Sequence, residues 1–126
     1  MLAKKKLVAF VATQQPKRAK RFYSDILGLR LVGESPFALE YNAGGTMLRV
    51  AVVQEAVIAP YTVLGWDVAD IRKAVKGLKK KRVAFQRYPG MGQDDLGIWT
   101  SPSGAKVAWF KDPDGNTLSL TEFSRK

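Results

Sequence analysis

The strongest constraint on the fold is a repeat: the order strand, helix, strand, strand, strand is written twice along 126 residues. In the first copy "KLVAFVAT" (Lys6–Thr13) reads as a strand. The helix "PKRAKRFYSDILG" follows, opening on Pro16 for a first turn and closing on Gly28 for a C-cap. Ala19, Phe22, Tyr23, Ile26 and Leu27 recur at the spacing of one apolar helix face. Three strands come next, Leu29–Glu34, Phe37–Asn42 and Thr46–Gln54, with turns at Ser35-Pro36 and Gly44-Gly45. The second copy runs Tyr61–Asp67, the helix "DIRKAVKGLKKK" with Ile71, Ala74, Val75 and Leu78 on its apolar face, then strands Arg82–Tyr88, Ala105–Lys111 and Asn116–Glu122.

The copies can be set in register. Val8 in the opening strand of the first corresponds to Val63 in the second, and Arg49 in the closing strand of the first corresponds to Ser119. The separation is wider for the closing strands than for the opening ones. The surplus is the length of "PGMGQDDLGIWTSPS" (Pro89–Ser103), expected to add a short strand around Gly97–Thr100 and a loop. The expected architecture is α+β: one domain, 1–126, of two βαβββ modules at about 5–54 and 61–123, a linker at 55–60 and an extra hairpin or loop at about 89–103.

Composition then removes whole classes of chemistry. Histidine and cysteine are both absent. Thiolate nucleophiles, disulfides, Cys-based metal sites and Ser-His-Asp catalysis are therefore excluded, and imidazole is missing as ligand and base. "MLAKKKLVAFVATQQ" has too short an apolar run for a signal h-region or a membrane span, so a cytoplasmic protein without membrane partners is expected. The net charge of +10 is concentrated in Lys4–Lys6, Lys17–Arg21 and Lys76–Arg82. Charges opposite an apolar helix stripe form solvated faces, and neither helix supplies a recognition element, so no specific nucleic-acid partner is expected.

"KRFYSDILGLRLV" and the closing hairpin "VAWFKDPDGNTLSL" (Val107–Leu120), within the doubled βαβββ order, resemble the vicinal oxygen chelate superfamily, the glyoxalase/bleomycin resistance/dioxygenase family, over nearly the whole chain. In the hairpin, Pro113 presets φ, Asp112 and Asp114 close the turn, and Gly115 accepts positive φ. The resemblance implies a curved mixed sheet around a cleft, helices on the convex face, and commonly a homodimer. It also implies either a divalent metal with substrate, or an organic ligand alone, on the concave side. The family's metal ligands, carried onto this chain, fall on Val8, Arg49, Val63 and Ser119. Two valines have no lone pair, a guanidinium has no acceptor and a neutral serine is a poor ligand, so the resemblance here is to metal-free members, with no cofactor.

Strand alternation assigns faces. Leu48, Val50, Val52, Leu118 and Leu120, with Leu7, Val11, Leu64 and Trp66, should pack under the helices. Val8, Phe10, Met47, Arg49, Tyr61, Val63, Ser119 and Thr121 should line the cleft, with Trp109 as a wall and Tyr88, Met91 and Trp99 coming from the inserted segment. Phe10, Met47, Arg49, Tyr61, Trp109 and Ser119 are the candidate ligand contacts, an apolar and aromatic set with few polar groups. Arg49 either pairs with Glu40 or awaits an anionic or carbonyl-bearing ligand. The function expected is binding of a small anionic or aromatic molecule. One alternative is a cofactor-independent lyase or isomerase using Glu40, Glu122 or Tyr61 for proton transfer beside Arg49. A second is a metal-dependent glyoxalase or dioxygenase. Alternation places Glu122 with Leu118 and Leu120, away from the cleft.

Overall fold

Each copy of the repeat closes into its own four-stranded mixed sheet in a computed structural model, which describes residues 1–124. The two compact units are Met1–Ile58 and a second beginning at Ala59. The first contains β1 (Val8–Thr13), helix α1 (Pro16–Arg21), β2 (Arg30–Glu34), β3 (Ala38–Ala43) and β4 (Thr46–Val52). Its strand order is β1-β4-β3-β2, with β1 parallel to β4 and the other pairs antiparallel. Leu39, Tyr41, Leu48, Val50 and Val11 form the buried face, packed with Ala19, Phe22 and Tyr23. The β3–β4 hairpin turns on Gly44 (φ 59°) and Gly45 (φ 91°), both in the positive-φ region that a two-residue type I′ connection requires.

Helix α1 departs from the regular helix that the spacing predicts. It widens into a π-helical turn over Phe22–Ile26, where the Leu27 N–H donates to the Phe22 carbonyl at 2.9 Å. The wider turn brings two successive aromatic residues inward, Phe22 and Tyr23, their rings edge to face at 5.1 Å. Leu7 is also misplaced by sequence reasoning. It precedes β1 and is 81% exposed, because the chain enters the sheet only at Val8 and the pleat cannot turn Leu7 inward.

Tyr41 joins helix to sheet. Its hydroxyl donates to the Lys20 carbonyl at 3.4 Å and shares a 2.9 Å hydrogen bond with Ser24 Oγ. Burial pushes its phenol above the ordinary value. The folded chain therefore keeps this proton where the unfolded chain loses it. Its contribution is complete below about pH 10 and is lost as pH rises beyond that value. Tyr41→Phe is expected to cost about 1 kcal/mol at pH 7. The gap to wild type should narrow at pH 11, as read from urea midpoints at both pH values.

The second unit contains β5 (Thr62–Asp67), α2 (Ile71–Lys80), β6 (Trp99–Thr100), β7 (Lys106–Lys111) and β8 (Thr117–Glu122), in the order β5-β8-β7-β6. Helix α2 buries Ile71 and Val75 completely over a face built from Ala108, Phe110, Leu118 and Leu120. Its first turn is capped twice. Asp70 Oδ1 accepts the Lys73 N–H at 3.1 Å, and Glu122 Oε1, from the end of β8, accepts the Ile71 N–H at 3.0 Å. Glu122 thus works on the helix side, as strand alternation requires.

One expectation for this unit is corrected. Arg82–Tyr88 is not a strand: Arg82 takes φ 69°, and Phe85 alone forms a bridge, to Phe110, with the Gln86 N–H donating to the Trp109 carbonyl. The short strand expected around Gly97–Thr100 forms as β6, and it serves as the edge strand itself, so the second sheet has four strands. Phe85 and β6 lie beside different parts of β7, Phe85 opposite Phe110 and Trp99 opposite Val107. One edge is therefore interrupted, and residues 87–98 leave the sheet and return.

Candidate functional site

On the side of the first sheet away from α1, register places Val8 opposite Met47, Phe10 opposite Arg49, and Arg49 opposite Glu40. Phe10 is 61% exposed, and Val8 and Met47 are also open. Val8 and Met47 line a shallow hollow of about 330 Å³ together with Leu7, Val32 and Asn42. Arg49 donates to the Glu40 carboxylate in an ion pair between neighbouring strands, each side chain about one-third exposed. The Arg49 charge is therefore already matched within the protein, which removes it as a stand-alone anchor for an anion. Gly33 faces this pair from β2, and a Cβ there would stand 2.6 Å from Glu40 Oε1.

The corresponding face of the second sheet has different furniture. Gly65, Ser119 and Trp109 stand in one row across β5, β8 and β7. Ser119 is buried, and a Cβ at position 65 would come within 2.7 Å of its Oγ. A glycine within an apolar strand signals such close approach, so Gly65 was findable from sequence. Trp109 holds two further rings: Tyr88 edge-on at 5.5 Å and Trp99 tilted at 6.1 Å. Trp66 lies apart from this group, stacked on Phe110 at 6.4 Å on the opposite face. Tyr61 precedes β5, is 68% exposed, and lies outside the strand pairing that aligns Gly65, Ser119 and Trp109.

Tyr88 and Trp99 reach Trp109 because residues 87–98 are folded tightly. Gln93 Nε2 donates to the carbonyls of Gln86 and Gly97 at 2.9 Å each, and its Oε1 accepts the Tyr88 N–H at 2.7 Å. Asp94 Oδ1 accepts the N–H groups of Leu96 and Ile98, while its Oδ2 meets Arg72 of α2 at 3.1 Å. Gln93 is a positioning residue that sequence reasoning missed, since no local pattern marks its role. Gln93→Ala removes three hydrogen bonds, so amide exchange within residues 87–98 should accelerate about 30- to 100-fold. The β7 and β8 amides should keep their protection in the same hydrogen-exchange experiment.

The positions onto which the sequence resemblance carries metal ligands can be tested on their donor atoms. In the first unit they are Val8 and Arg49, an alkyl group and a guanidinium bound to Glu40; in the second they are Val63 and Ser119, an alkyl group and one hydroxyl. These donors do not fit a divalent ion. Among the described residues no cluster of three or more His, Cys, Asp or Glu side chains could hold one.

Residues 7–120 match the family model of the Glyoxalase/Bleomycin resistance protein/Dioxygenase superfamily, and the chain belongs to that family. No curated protein matches it. Among solved structures it is similar to a lactoylglutathione lyase from Agrobacterium tumefaciens (14% identity, TM-score 0.75, covering 97% of this chain and 96% of that one). A member of the same superfamily from Sphaerobacter thermophilus is also similar (20% identity, TM-score 0.75, 97% and 99% covered). So is TioX from Micromonospora sp. ML1 (17% identity, TM-score 0.71, 95% and 99% covered). At these identities the likeness concerns the fold. No helix among the described residues is long and apolar enough to cross a membrane.

Proposed function

We propose that the chain binds a small planar aromatic molecule against the Trp109 face of the second sheet, without a metal ion. The observation that carries this reading is the ring cluster of Tyr88, Trp109 and Trp99 beside Ser119, which combines aromatic surface with one hydroxyl. Flat π surfaces favour offset or edge contacts with another ring, and the hydroxyl supplies one directional contact. The net charge of +10 favours an anionic ligand by long-range attraction, although Arg49 itself is matched by Glu40. Phe10 and Met47 form an exposed apolar patch of their own on the first sheet. Assembly as a homodimer is part of the same reading, and sedimentation velocity distinguishes one chain from two. The test of binding is calorimetric titration of chelator-dialysed protein with aromatic carboxylates of one to three fused rings. Micromolar binding that strengthens with ring number supports the reading; uniformly absent heat and unchanged tryptophan emission retire it.

A second reading, a cofactor-independent lyase or isomerase, is favoured by one observation. Glu40 and Arg49 place a carboxylate and a positive charge in contact, the elements of proton transfer with charge stabilisation. Turnover of a carbonyl substrate that Glu40→Gln abolishes, with substrate binding retained, would move the assignment to this reading.

A further inference from the structure

The exposed face of α2 carries more positive charge than a solvated helix needs. At 100° per residue, Arg72, Lys73, Lys76, Lys79 and Lys80 fall within an arc of about 120°, spread over about 12 Å of helix axis. Their charge spacing approaches the roughly 3.4 Å between charges along one strand of a DNA duplex. All five are exposed, and Lys81 and Arg82 extend the run beyond the helix. Arg72 is held by Asp94 and Asp95, whereas Lys73, Lys76, Lys79 and Lys80 join no ion pair among the described residues. Part of this charge offsets the negative end of the helix, but only the last turn is near enough to do so.

We propose that this face docks, independently of sequence, on the phosphate backbone of a nucleic acid. Charge complementarity along a rigid rod is the argument for that occupant. The apolar residues Ile71 and Val75 are fully buried under the sheet, so α2 has no free apolar side to sink into a lipid surface. Neutralising about four phosphates gives a slope near −3.6 for log K against log salt, so affinity should fall about 100-fold between 50 and 200 mM salt.

The experiment is fluorescence anisotropy of the full chain with a labelled 30-base-pair duplex of arbitrary sequence, repeated with a second sequence and with vesicles of phosphatidylserine and phosphatidylcholine. Two variants of equal charge are compared: K73Q/K76Q/K79Q/K80Q on α2, and K4Q/K5Q/K6Q/K17Q elsewhere. Circular dichroism verifies that both fold, as glutamine suits an exposed helix nearly as well as lysine. The expected result is equal affinity for both sequences and at least a tenfold loss confined to the α2 variant, with a shallower salt slope. Absence of duplex binding at 50 mM salt, equal losses in both variants, or tighter binding to vesicles than to duplex would each overturn the proposal.

Discussion

Replacing Trp109 by alanine is expected to raise the dissociation constant of a planar aromatic ligand at least about 30-fold, the scale of a central aromatic anchor. Trp109 contacts both Tyr88 and Trp99, and it stands in register with Ser119. Removing it takes the central ring out of the proposed cluster and leaves Tyr88 and Trp99 without their common neighbour. Tyr88→Ala and Trp99→Ala should each cost about 3- to 10-fold, since each removes one edge or tilted contact. Arg49→Gln should change the same affinity less than threefold, because its charge is already committed to Glu40. Calorimetry with one ligand against the four variants reads this order, and an Arg49 effect larger than that of Trp109 would invert the account.

The largest stability effect is expected at the β7–β8 turn. Asp112 is buried, and its Oδ1 accepts the N–H groups of Asp114 at 3.0 Å and Asn116 at 2.9 Å, while Oδ2 accepts Asn116 Nδ2 at 2.8 Å. Alanine leaves those three donors without this acceptor at the connection that sets the β7–β8 register. The cost should be about 3 kcal/mol, a fall of roughly 10 °C in melting temperature. Asp112→Asn keeps Oδ1 as an acceptor and loses only the amide contact, so it should recover more than half. Thermal denaturation followed by circular dichroism compares the two, and equal losses would show that the charge rather than the turn geometry matters.

Much of the architecture was legible because the repeat constrains pairing. Matching Val8 with Val63 also matches Phe10 with Gly65, and Arg49 matches Ser119. Phe10 duly stands opposite Arg49 in one sheet and Gly65 opposite Ser119 in the other, so equivalent residues occupy equivalent rows. Alternation likewise separated Ser119 from Leu118 and Leu120, and the register of β7 then sets Trp109 beside Ser119 and Phe110 beside Leu118. What escaped depends on contacts distant in sequence. Val83, Phe85 and Tyr88 have strand-forming side chains, yet strand propensity cannot reveal that only Phe85 would find a bridge on β7. The meeting of Tyr88 with Trp109 depends on Gln93 folding the intervening residues, which no periodicity records. The π-helical turn in α1 is similarly a product of packing two adjacent aromatic residues inward. At Arg49 the alternation rule gave the face, while the choice between Glu40 and a ligand needed the strand register.

The most direct test is a nitrogen–proton correlation spectrum of the chelator-dialysed protein during titration with an aromatic carboxylate. The three indole N–H signals belong to Trp66, Trp99 and Trp109. Trp109 and Trp99 should shift together and saturably while Trp66, stacked on Phe110 across the sheet, stays in place. Movement of Trp66 alone, or shifts that appear only after a divalent metal is added, would contradict it.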